Sequence, residues 1–263
     1  MTAAGVPLLS CRNVSKQFGA LTAVDDLSFD LAAGEMLGIG GPNGAGKTTL
    51  FEVISGLNPA TSGAVLFEGR DITRLAPEAI CHAGIARTFQ LNASFDRLSV
   101  RDNVKIAAYF GRSNRLMPGL RLGRAVEDQV DAALQGIGWR GDQRSLAGQL
   151  PVLDRKLLML AGALATQPKL LLMDEPVGGL NPQEIDEMME AVRRIASTGI
   201  AIILIEHVMR FLVALSPRVL IMHHGEKIFE GPPQGLVKDR QVIDVYLGEG
   251  ASQRLGAFMG AGA

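Results

Sequence analysis

The stretch that decides the fold is Gly41-Pro42-Asn43-Gly44-Ala45-Gly46-Lys47-Thr48. It satisfies the pattern G-x-x-x-x-G-K-[ST], in which glycines let the backbone wrap closely around phosphate groups while amide N–H groups supply positive potential. A strand-like run at residues 36–39 precedes the stretch, and a helical run begins at Thr49. The alternative is a chance glycine-rich turn, but the strand, the spacing and the helix all favour a phosphate-binding loop. The eight residues and Thr49 are therefore the predicted nucleotide-binding residues.

Two side chains of this loop carry specific expectations. Lys47 is predicted to reach the β- and γ-phosphates of a bound nucleotide, where it would also act in catalysis. The hydroxyl of Thr48 is predicted to ligate Mg²⁺. The N-terminus of the following helix adds positive potential at the same place.

A pair of acids lies at the end of a second apolar run. Residues 170–173 form the run, and Asp174-Glu175 follow it directly. In open α/β sheets, ligands bind at the carboxyl ends of parallel strands, so this position favours function over the alternative of a solvated turn. Asp174 is predicted to hold Mg²⁺ through water, and Glu175 to polarise the attacking water.

Two further residues are candidates whose local pattern alone is weak. His207 follows the apolar run 200–205 and Glu206, so it would emerge at a strand end within reach of a γ-phosphate. Gln90 follows another apolar segment and carries a neutral amide able to bind both Mg²⁺ and water. In isolation the structural interpretation of a lone histidine would prevail.

Composition excludes several classes of protein. The 263 residues carry 26 Lys and Arg against 27 Asp and Glu, a net charge of -1, with a mean hydropathy of +0.19. This excludes a disordered chain, a collagen-like repeat and a strongly basic nucleic-acid binder. The longest apolar runs, 157–165 and 200–205, are shorter than the roughly 18–20 residues of a membrane span. No secretory signal or disulfide framework is evident, which predicts a cytosolic protein.

Patterning along the chain indicates a mixed α/β fold. Apolar runs separated by helical segments predict a mainly parallel sheet, with strands at residues 35–39, 169–173, 199–205 and 218–222. Alternating runs joined by turns at 16–20 and 60–63 predict an antiparallel layer, with strands at residues 8–14, 26–31 and 64–68. Residues 99–165 have helical spacing without a strand-like run, which predicts an inserted helical subdomain.

Together these features resemble the ATP-binding subunits of ABC transporters over nearly the whole chain. The phosphate loop, Gln90, Asp174-Glu175, Gly179-Leu180-Asn181 and His207 occur in that family's order and approximate spacing. The resemblance implies an α/β P-loop NTPase fold with an antiparallel β layer and an inserted helical subdomain at about residues 91–165. It implies one ATPase domain at residues 1–255, and the Gly/Ala-rich composition of residues 256–263 predicts a flexible tail after it.

The resemblance also assigns roles to individual residues. Phe18 would stack on the adenine of ATP. Gln90 would ligate Mg²⁺ and link the nucleotide state to a transmembrane partner, and His207 would sense the γ-phosphate. ATP and Mg²⁺ are the implied cofactors.

Within the family the chain is most similar to the ATPase subunits of branched-chain amino acid importers. The segments that carry this similarity are Arg87-Thr88-Phe89-Gln90, Gly179-Leu180-Asn181-Pro182, Ile205-Glu206-His207-Val208-Met209 and the ending at residues 242–249. The implied partners are permease subunits and, through them, an extracytoplasmic solute-binding protein, with no nucleic acid. The implied location is cytoplasmic, on the inner face of the cell membrane. Two alternatives remain: a soluble ABC ATPase unconnected to transport, and a nucleotide-gated subunit that does not hydrolyse ATP.

One segment departs from the family pattern. The signature loop, which resembles Leu-Ser-Gly-Gly-Gln and covers the γ-phosphate held by the other subunit of a dimer, corresponds here to Leu150-Pro151-Val152-Leu153-Asp154. The serine hydroxyl and both glycines are lost, and an acid stands near the expected anion. A misplaced alignment is the alternative, but no other Ser-Gly-Gly segment precedes Asp174 in the expected window. The prediction is a heterodimer with a second ATPase subunit that supplies a competent signature.

Overall fold

The computed structural model describes residues 6–88, 94–111 and 123–244. The strands in these ranges are β1 (Leu9–Phe18), β2 (Leu21–Leu31), β3 (Met36–Gly40), β4 (Ser62–Phe67), β5 (Arg70–Asp71), β6 (Ile85–Arg87), β7 (Leu170–Asp174), β8 (Ala201–Ile205), β9 (Arg218–His223) and β10 (Glu226–Gly231). The helices are α1 (Lys47–Ile54), α2 (Pro77–Ala83), α3 (Val100–Phe110), α4 (Arg124–Gly136), α5 (Val152–Ala165), α6 (Pro182–Ser197), α7 (Met209–Leu215) and α8 (Arg240–Val242).

The described residues divide into two compact units. The first contains residues 6–75 and 203–244, and the second contains residues 76–88, 94–111 and 123–202. The second boundary falls within β8. The predicted tail at residues 256–263 lies outside the described residues.

The predicted antiparallel layer is confirmed in the first unit. Its four strands are ordered β2-β1-β4-β5, and β1 runs antiparallel to both of its neighbours. The first turn is shorter than the predicted 16–20, because Phe18 pairs directly with Leu21 and only two residues connect the strands. Gly19 supplies the positive φ of 59° that this tight connection uses. Phe18 is consequently the last residue of a strand rather than part of a loop.

Parallel pairing is confirmed in both units. In the first unit β3 runs parallel to β9, and β10 is antiparallel to β9. In the second unit β6 runs parallel to β7. Every residue of β3, β7 and β8 is buried, which explains why these strands are continuous apolar runs in the sequence. Strands β6 and β10 were not predicted. β6 has only three residues, and β10 is largely exposed or half-buried, so neither gives a long apolar run.

The described part of residues 99–165 is helical, as predicted. Helices α3, α4 and α5 pack on one another in the second unit, and strand character in this described part is limited to an isolated bridge between Ser99 and Leu146. Ser99 also caps α3, since its side chain accepts a hydrogen bond from the Asp102 amide. Among the described residues, no helix has both the length and the apolar character that a membrane crossing requires.

A charged cluster joins two helices of the second unit. The guanidinium of Arg101 on α3 pairs with Glu127 at 2.7 Å and with Asp131 at 2.6 Å, both on α4. It also donates to the side-chain oxygen of Gln143 at 2.8 Å. Hydrogen bonds from Lys105 and Arg101 lower the pKa of Glu127, and a hydrogen bond from Arg101 lowers the pKa of Asp131.

This cluster predicts acid sensitivity. A carboxylate whose pKa is lowered by folding stabilises the folded state above its unfolded pKa, and this contribution is lost as pH falls through the folded pKa. We expect the melting temperature to fall more steeply below about pH 4 in the wild type than in Arg101→Gln. Thermal unfolding followed by circular dichroism at several pH values measures the slopes. Arg12→Gln, which removes an exposed ion pair with Asp30, is the control, and equal slopes in Arg101→Gln and wild type would contradict the prediction.

Candidate nucleotide site

The predicted phosphate loop connects β3 to α1 and is backed closely by neighbouring backbone. Gly41 has φ 145° and Gly46, the N-cap of α1, has φ 98°. A Cβ atom at Gly41 would lie 2.3 Å from the carbonyl oxygen of Met222, and one at Gly46 would lie 2.0 Å from that of Ala23. Any other residue at either position would therefore have to displace backbone. Gly44, with φ 81°, has open space where a Cβ would stand.

Lys47 is directed into this loop. Lys47 is only 7% exposed. Its ammonium donates hydrogen bonds to the carbonyl oxygens of Gly41 at 2.8 Å and Pro42 at 2.9 Å. The positive charge is thus held inside the curve of the loop. Thr48, next in the chain, is exposed, so its hydroxyl is accessible at the start of α1.

Phe18, the predicted adenine contact, belongs to the same unit as the phosphate loop. It is 44% exposed, and the ammonium of Lys16 lies 4.9 Å from its ring centroid. The ring is thus partly exposed at a strand end with Lys16 beside it, and an aromatic ring of this kind can stack on a planar group.

The second unit contains the acid pair. β7 ends at Asp174, which is 6% exposed and forms an ion pair of 2.9 Å with Arg87 at the end of the adjacent strand β6. The amide of Asp174 also lies 3.4 Å from the hydroxyl of Thr88. Both side chains of the ion pair are nearly buried, and breaking such a pair strongly destabilises a protein because it leaves a charge without compensation. The partnership with Arg87 was missed in the sequence because nothing local links positions 87 residues apart.

Glu175 lies where the chain leaves the strand. Its φ is 46°, a left-handed conformation that costs a non-glycine residue about 1–3 kcal/mol and that clusters at functional sites. Its carbonyl oxygen accepts a hydrogen bond from Lys156 at 3.3 Å. The side chain is half-exposed, so the backbone is held while the carboxylate remains accessible.

His207 follows the last residues of β8 in the first unit, as predicted. Its side chain is 53% exposed, whereas that of Glu206 beside it is fully buried. A carboxylate oxygen of Glu206 accepts hydrogen bonds from the amides of His207 at 3.0 Å and Val208 at 3.1 Å. The same oxygen lies 3.8 Å from Nδ1 of His207. The buried acid therefore holds the turn that presents the histidine.

The segment predicted to be a degenerate signature, residues 150–154, lies at the start of α5 in the second unit. Pro151 is the N-cap and offers no side-chain hydrogen bond to the helix. Val152 is 41% exposed, but Leu153 is 7% exposed and packs inward, so Val152 rather than Leu153 occupies the outer surface. Burial raises the pKa of the Asp154 carboxyl.

Gln90 and Asn181 are the remaining predicted residues. Gln90 lies outside the described residues. Asn181 caps α6 through a capping box, in which it accepts from the amide of Glu184 and Glu184 accepts from the amide of Asn181. The phosphate loop, Phe18 and His207 belong to the first unit, whereas Asp174, Glu175 and the signature residues belong to the second.

Comparison with known proteins decides the family. The family model described as ABC transporter matches residues 24–178, which is more than half of the chain. The chain belongs to the ABC transporter family. A second model, described as branched-chain amino acid ATP-binding cassette transporter, matches residues 226–252 of this ABC protein.

Individual relatives match almost the whole ABC chain. The high-affinity branched-chain amino acid transport ATP-binding protein LivG of Escherichia coli (strain K12) is 33% identical over 251 residues, covering 92% of this chain and 98% of LivG. The probable LivG of Archaeoglobus fulgidus is 32% identical, covering 92% and 95%. The structure of the ADP conformation of MJ1267, an ATP-binding cassette of an ABC transporter, superposes with a TM-score of 0.83 at 30% identity, covering 93% of this chain and all of that one.

These comparisons confirm the predicted fold and activity class. The chain has the α/β fold of ABC ATPase cassettes, and it is an ATP-binding ATPase whose hydrolysis is coupled to transport. They give no support to the alternatives of a soluble ABC ATPase unconnected to transport or a subunit that does not hydrolyse ATP.

Glu206 yields a prediction for this ABC ATPase. Glu206→Ala removes the acceptor of two backbone N–H groups that hold the turn presenting His207. We expect kcat for ATP hydrolysis to fall about tenfold, because a misplacement of about 1 Å can cost up to about a hundredfold in rate. Glu206→Gln keeps an acceptor oxygen and is expected to retain most of the rate. Steady-state hydrolysis measured in wild-type and His207→Ala backgrounds provides the test. The Glu206→Ala effect should shrink once His207 is absent, and undiminished loss in that background would contradict the prediction.

Proposed function

We propose that the chain is the ATP-binding and ATP-hydrolysing subunit of an importer for branched-chain or related amino acids. The observation that carries this proposal is the similarity to LivG along 92% of the chain, at 33% identity. The C-terminal match to branched-chain amino acid cassettes at residues 226–252 supports it independently of the ATPase core. The direction, import rather than export, follows from the resemblance to importers.

In this proposal the first unit binds most of the nucleotide. Phe18 stacks on the adenine, and the backbone amides of the loop surround the phosphates. Lys47 contacts the β- and γ-phosphates, for which its inward-facing ammonium is suitably placed. Thr49, in the first turn of α1, contributes with the residues of the loop.

The same proposal includes Mg²⁺, and the available donors suit it. Thr48 offers an exposed hydroxyl, and the nearly buried carboxylate of Asp174, which is paired with Arg87, would hold the ion through water. Oxygen donors of these two kinds are those that Mg²⁺ prefers, and Gln90 would add an amide oxygen. When bound, Mg²⁺ neutralises charge that develops on the β- and γ-phosphate oxygens.

Two residues act at the γ-phosphate and on the water that attacks it. Glu175 orients this water and accepts its proton, a role that suits an accessible carboxylate on a fixed backbone. His207 contacts the γ-phosphate from the turn that Glu206 holds. Gln90 connects the nucleotide state to the transmembrane partner.

Assembly is proposed to be asymmetric. Lys47, Thr48, Glu175 and His207 are all present, whereas the signature lacks its serine and glycines. The exposed Val152 and the partly buried acid Asp154 are unsuited to covering a γ-phosphate. The ATP bound by this chain would therefore meet the competent signature of a second ATPase and be hydrolysed, while the partner's ATP would turn over slowly.

This asymmetry predicts the behaviour of the isolated chain. We expect the purified chain alone to hydrolyse ATP at least about tenfold more slowly than the equimolar mixture with its partner ATPase, because only the mixture supplies a competent signature. Steady-state phosphate release at saturating ATP measures both rates. The partner carrying an alanine in place of its phosphate-loop lysine is the control, and its mixture should retain most of the rate. Full-rate hydrolysis by this chain alone would overturn the heterodimer.

The remaining features of the proposal concern organisation and location. We propose that residues 1–255 form one ATPase domain, with a helical subdomain inserted at about 91–165. The domain docks on permease subunits at the cytoplasmic face of the membrane, and an extracytoplasmic binding protein delivers the solute to those permeases.

The transport assignment can be tested by trapping. A tagged chain carrying Glu175→Gln, purified with ATP, is expected to retain a second ATPase subunit and permease subunits, identified by mass spectrometry, and to release them when ATP is omitted. Association with nucleic acid in place of permeases would overturn the assignment.

A further inference from the structure

We infer that Gly225, in the turn between β9 and β10, is a positioning residue for the phosphate loop. The inference rests on the proposed function, since it takes residues 41–48 as the nucleotide phosphate site. Gly225 contributes no side chain and is not itself a proposed nucleotide contact. It acts by holding backbone behind the loop.

Two backbone hydrogen bonds link this turn to both of its neighbours. The amide of Gly225 donates to the carbonyl oxygen of Ala45, within the phosphate loop, at 3.0 Å. The carbonyl oxygen of Gly225 accepts from the amide of Asp25 on β2 at 2.9 Å. One residue thus bridges the phosphate loop to the antiparallel layer, and both of its backbone polar groups are used.

The surrounding contacts leave this bridge little space. Gly225 is buried and has φ 85°. A Cβ atom there would lie 3.1 Å from the carbonyl oxygen of Ala23 and 3.3 Å from the amide nitrogen of Asp25. The same carbonyl of Ala23 is the one that Gly46 approaches, and the carbonyl of Met222 lies against Gly41.

Backbone of β2 and of the β9–β10 hairpin therefore contacts the phosphate loop at three points. Met222 lies against Gly41, Gly225 binds Ala45, and Ala23 lies against Gly46. Met222 and Gly225 belong to one hairpin, so a displacement of Gly225 is transmitted to the middle of the loop and to both of its ends. Preorganised amides bind phosphate only if they are held in place, and a misplacement of about 1 Å can cost about a hundredfold in rate.

A matched control separates positioning from backbone strain. Gly199 has the same φ of 85°, but nothing lies within 4 Å of the place where its Cβ would stand. Gly225→Ala and Gly199→Ala therefore introduce the same left-handed strain, while only the former also presses a Cβ against Ala23 and Asp25 of β2. Gly225→Asn is a second variant, because asparagine tolerates positive φ and still adds a Cβ.

The readouts are ADP affinity by titration calorimetry and melting temperature. ADP occupies the phosphate loop without hydrolysis, so its Kd reports on the loop alone. We expect Gly225→Ala and Gly225→Asn to raise the Kd for ADP about tenfold or more relative to wild type. Gly199→Ala should also lose melting temperature, because it carries the same left-handed strain, but should keep its Kd within about twofold.

The ADP titrations distinguish a wrong role for Gly225 from a wrong proposed function. A wild-type chain that does not bind ADP would contradict the proposed function itself. A wild-type chain that binds ADP, with both Gly225 variants binding as tightly as Gly199→Ala, would overturn the role of Gly225. Weaker ADP binding in both Gly225 variants, with Gly199→Ala close to wild type, supports the positioning role of Gly225.

Discussion

Glu175→Gln is expected to lower kcat for ATP hydrolysis by about 10²–10⁴-fold in the complex with the partner ATPase, while ATP affinity stays within about twofold. Glutamine has the size of glutamate and keeps an oxygen that can orient water, but its amide cannot accept a proton. The backbone at this position already has φ 46°, and both residues carry the same strain there. The loss therefore reports the carboxylate and not a rearrangement of the strand end.

The measurement is steady-state phosphate release together with equilibrium ATP binding. Glu187→Gln is the control, because Glu187 is an exposed acid on α6 and its removal changes the net charge equally. The control should retain the wild-type kcat. A Glu175→Gln variant that hydrolyses ATP at the wild-type rate would show that another group acts on the water.

Lys47→Ala is expected to weaken ATP binding by about tenfold or more, and to remove most of the hydrolysis at low ATP concentration. A charge-assisted hydrogen bond contributes about 1.5–3 kcal/mol, or about 10–100-fold in affinity. The loop loses its inward-facing cation and the donor that binds the carbonyl oxygens of Gly41 and Pro42. Both losses weaken the binding of the phosphates rather than the binding of the adenine.

Titration calorimetry with ATP and with ADP distinguishes this effect from general damage. Lys238→Ala, which removes an exposed lysine from the same unit, should bind both nucleotides as the wild type does. Equal affinities for Lys47→Ala and Lys238→Ala would mean that Lys47 does not contact the phosphates.

The parts of the fold that could be predicted from sequence have strong local signals. Strands β3, β7 and β8 are buried along their whole length and therefore appear as uninterrupted apolar runs. The phosphate loop combines a residue pattern with a strand before it and a helix after it. The helical character of the described residues 99–111 and 123–165 follows from spacing alone. By contrast, β10 has no buried run, and the layer's first turn was predicted too long because Lys16 and Phe18 pair within strands.

The parts of the site that could not be predicted depend on contacts between distant positions. Arg87 and Asp174 meet because β6 and β7 are adjacent parallel strands, and no local pattern pairs them. Gly225 lies beside Ala45 for the same kind of reason. Glu206 is next to His207 in the chain, but an acid after an apolar run gives no indication that its carboxylate is buried and turned back on the following amides.

The segment predicted to be the signature also has a structural role at the start of α5. Pro151 is the N-cap of this helix and offers no side-chain hydrogen bond, whereas a serine at an N-cap can accept one. Leu153 adds to the buried face of α5. Neither residue offers the hydroxyl or the bare backbone that contact with a γ-phosphate would require. In the proposed heterodimer, a second ATPase subunit would supply the competent signature.

ATP-driven uptake in reconstituted vesicles tests the central claim most directly. The chain, its partner ATPase and the permeases are placed in proteoliposomes with the ATPases and ATP inside, and radiolabelled leucine with the solute-binding protein is supplied outside. The account predicts leucine accumulation that requires ATP and is abolished by Glu175→Gln but not by Glu187→Gln. Accumulation that persists with Glu175→Gln, or an assembled complex that hydrolyses ATP without moving any branched-chain or related amino acid, would contradict it.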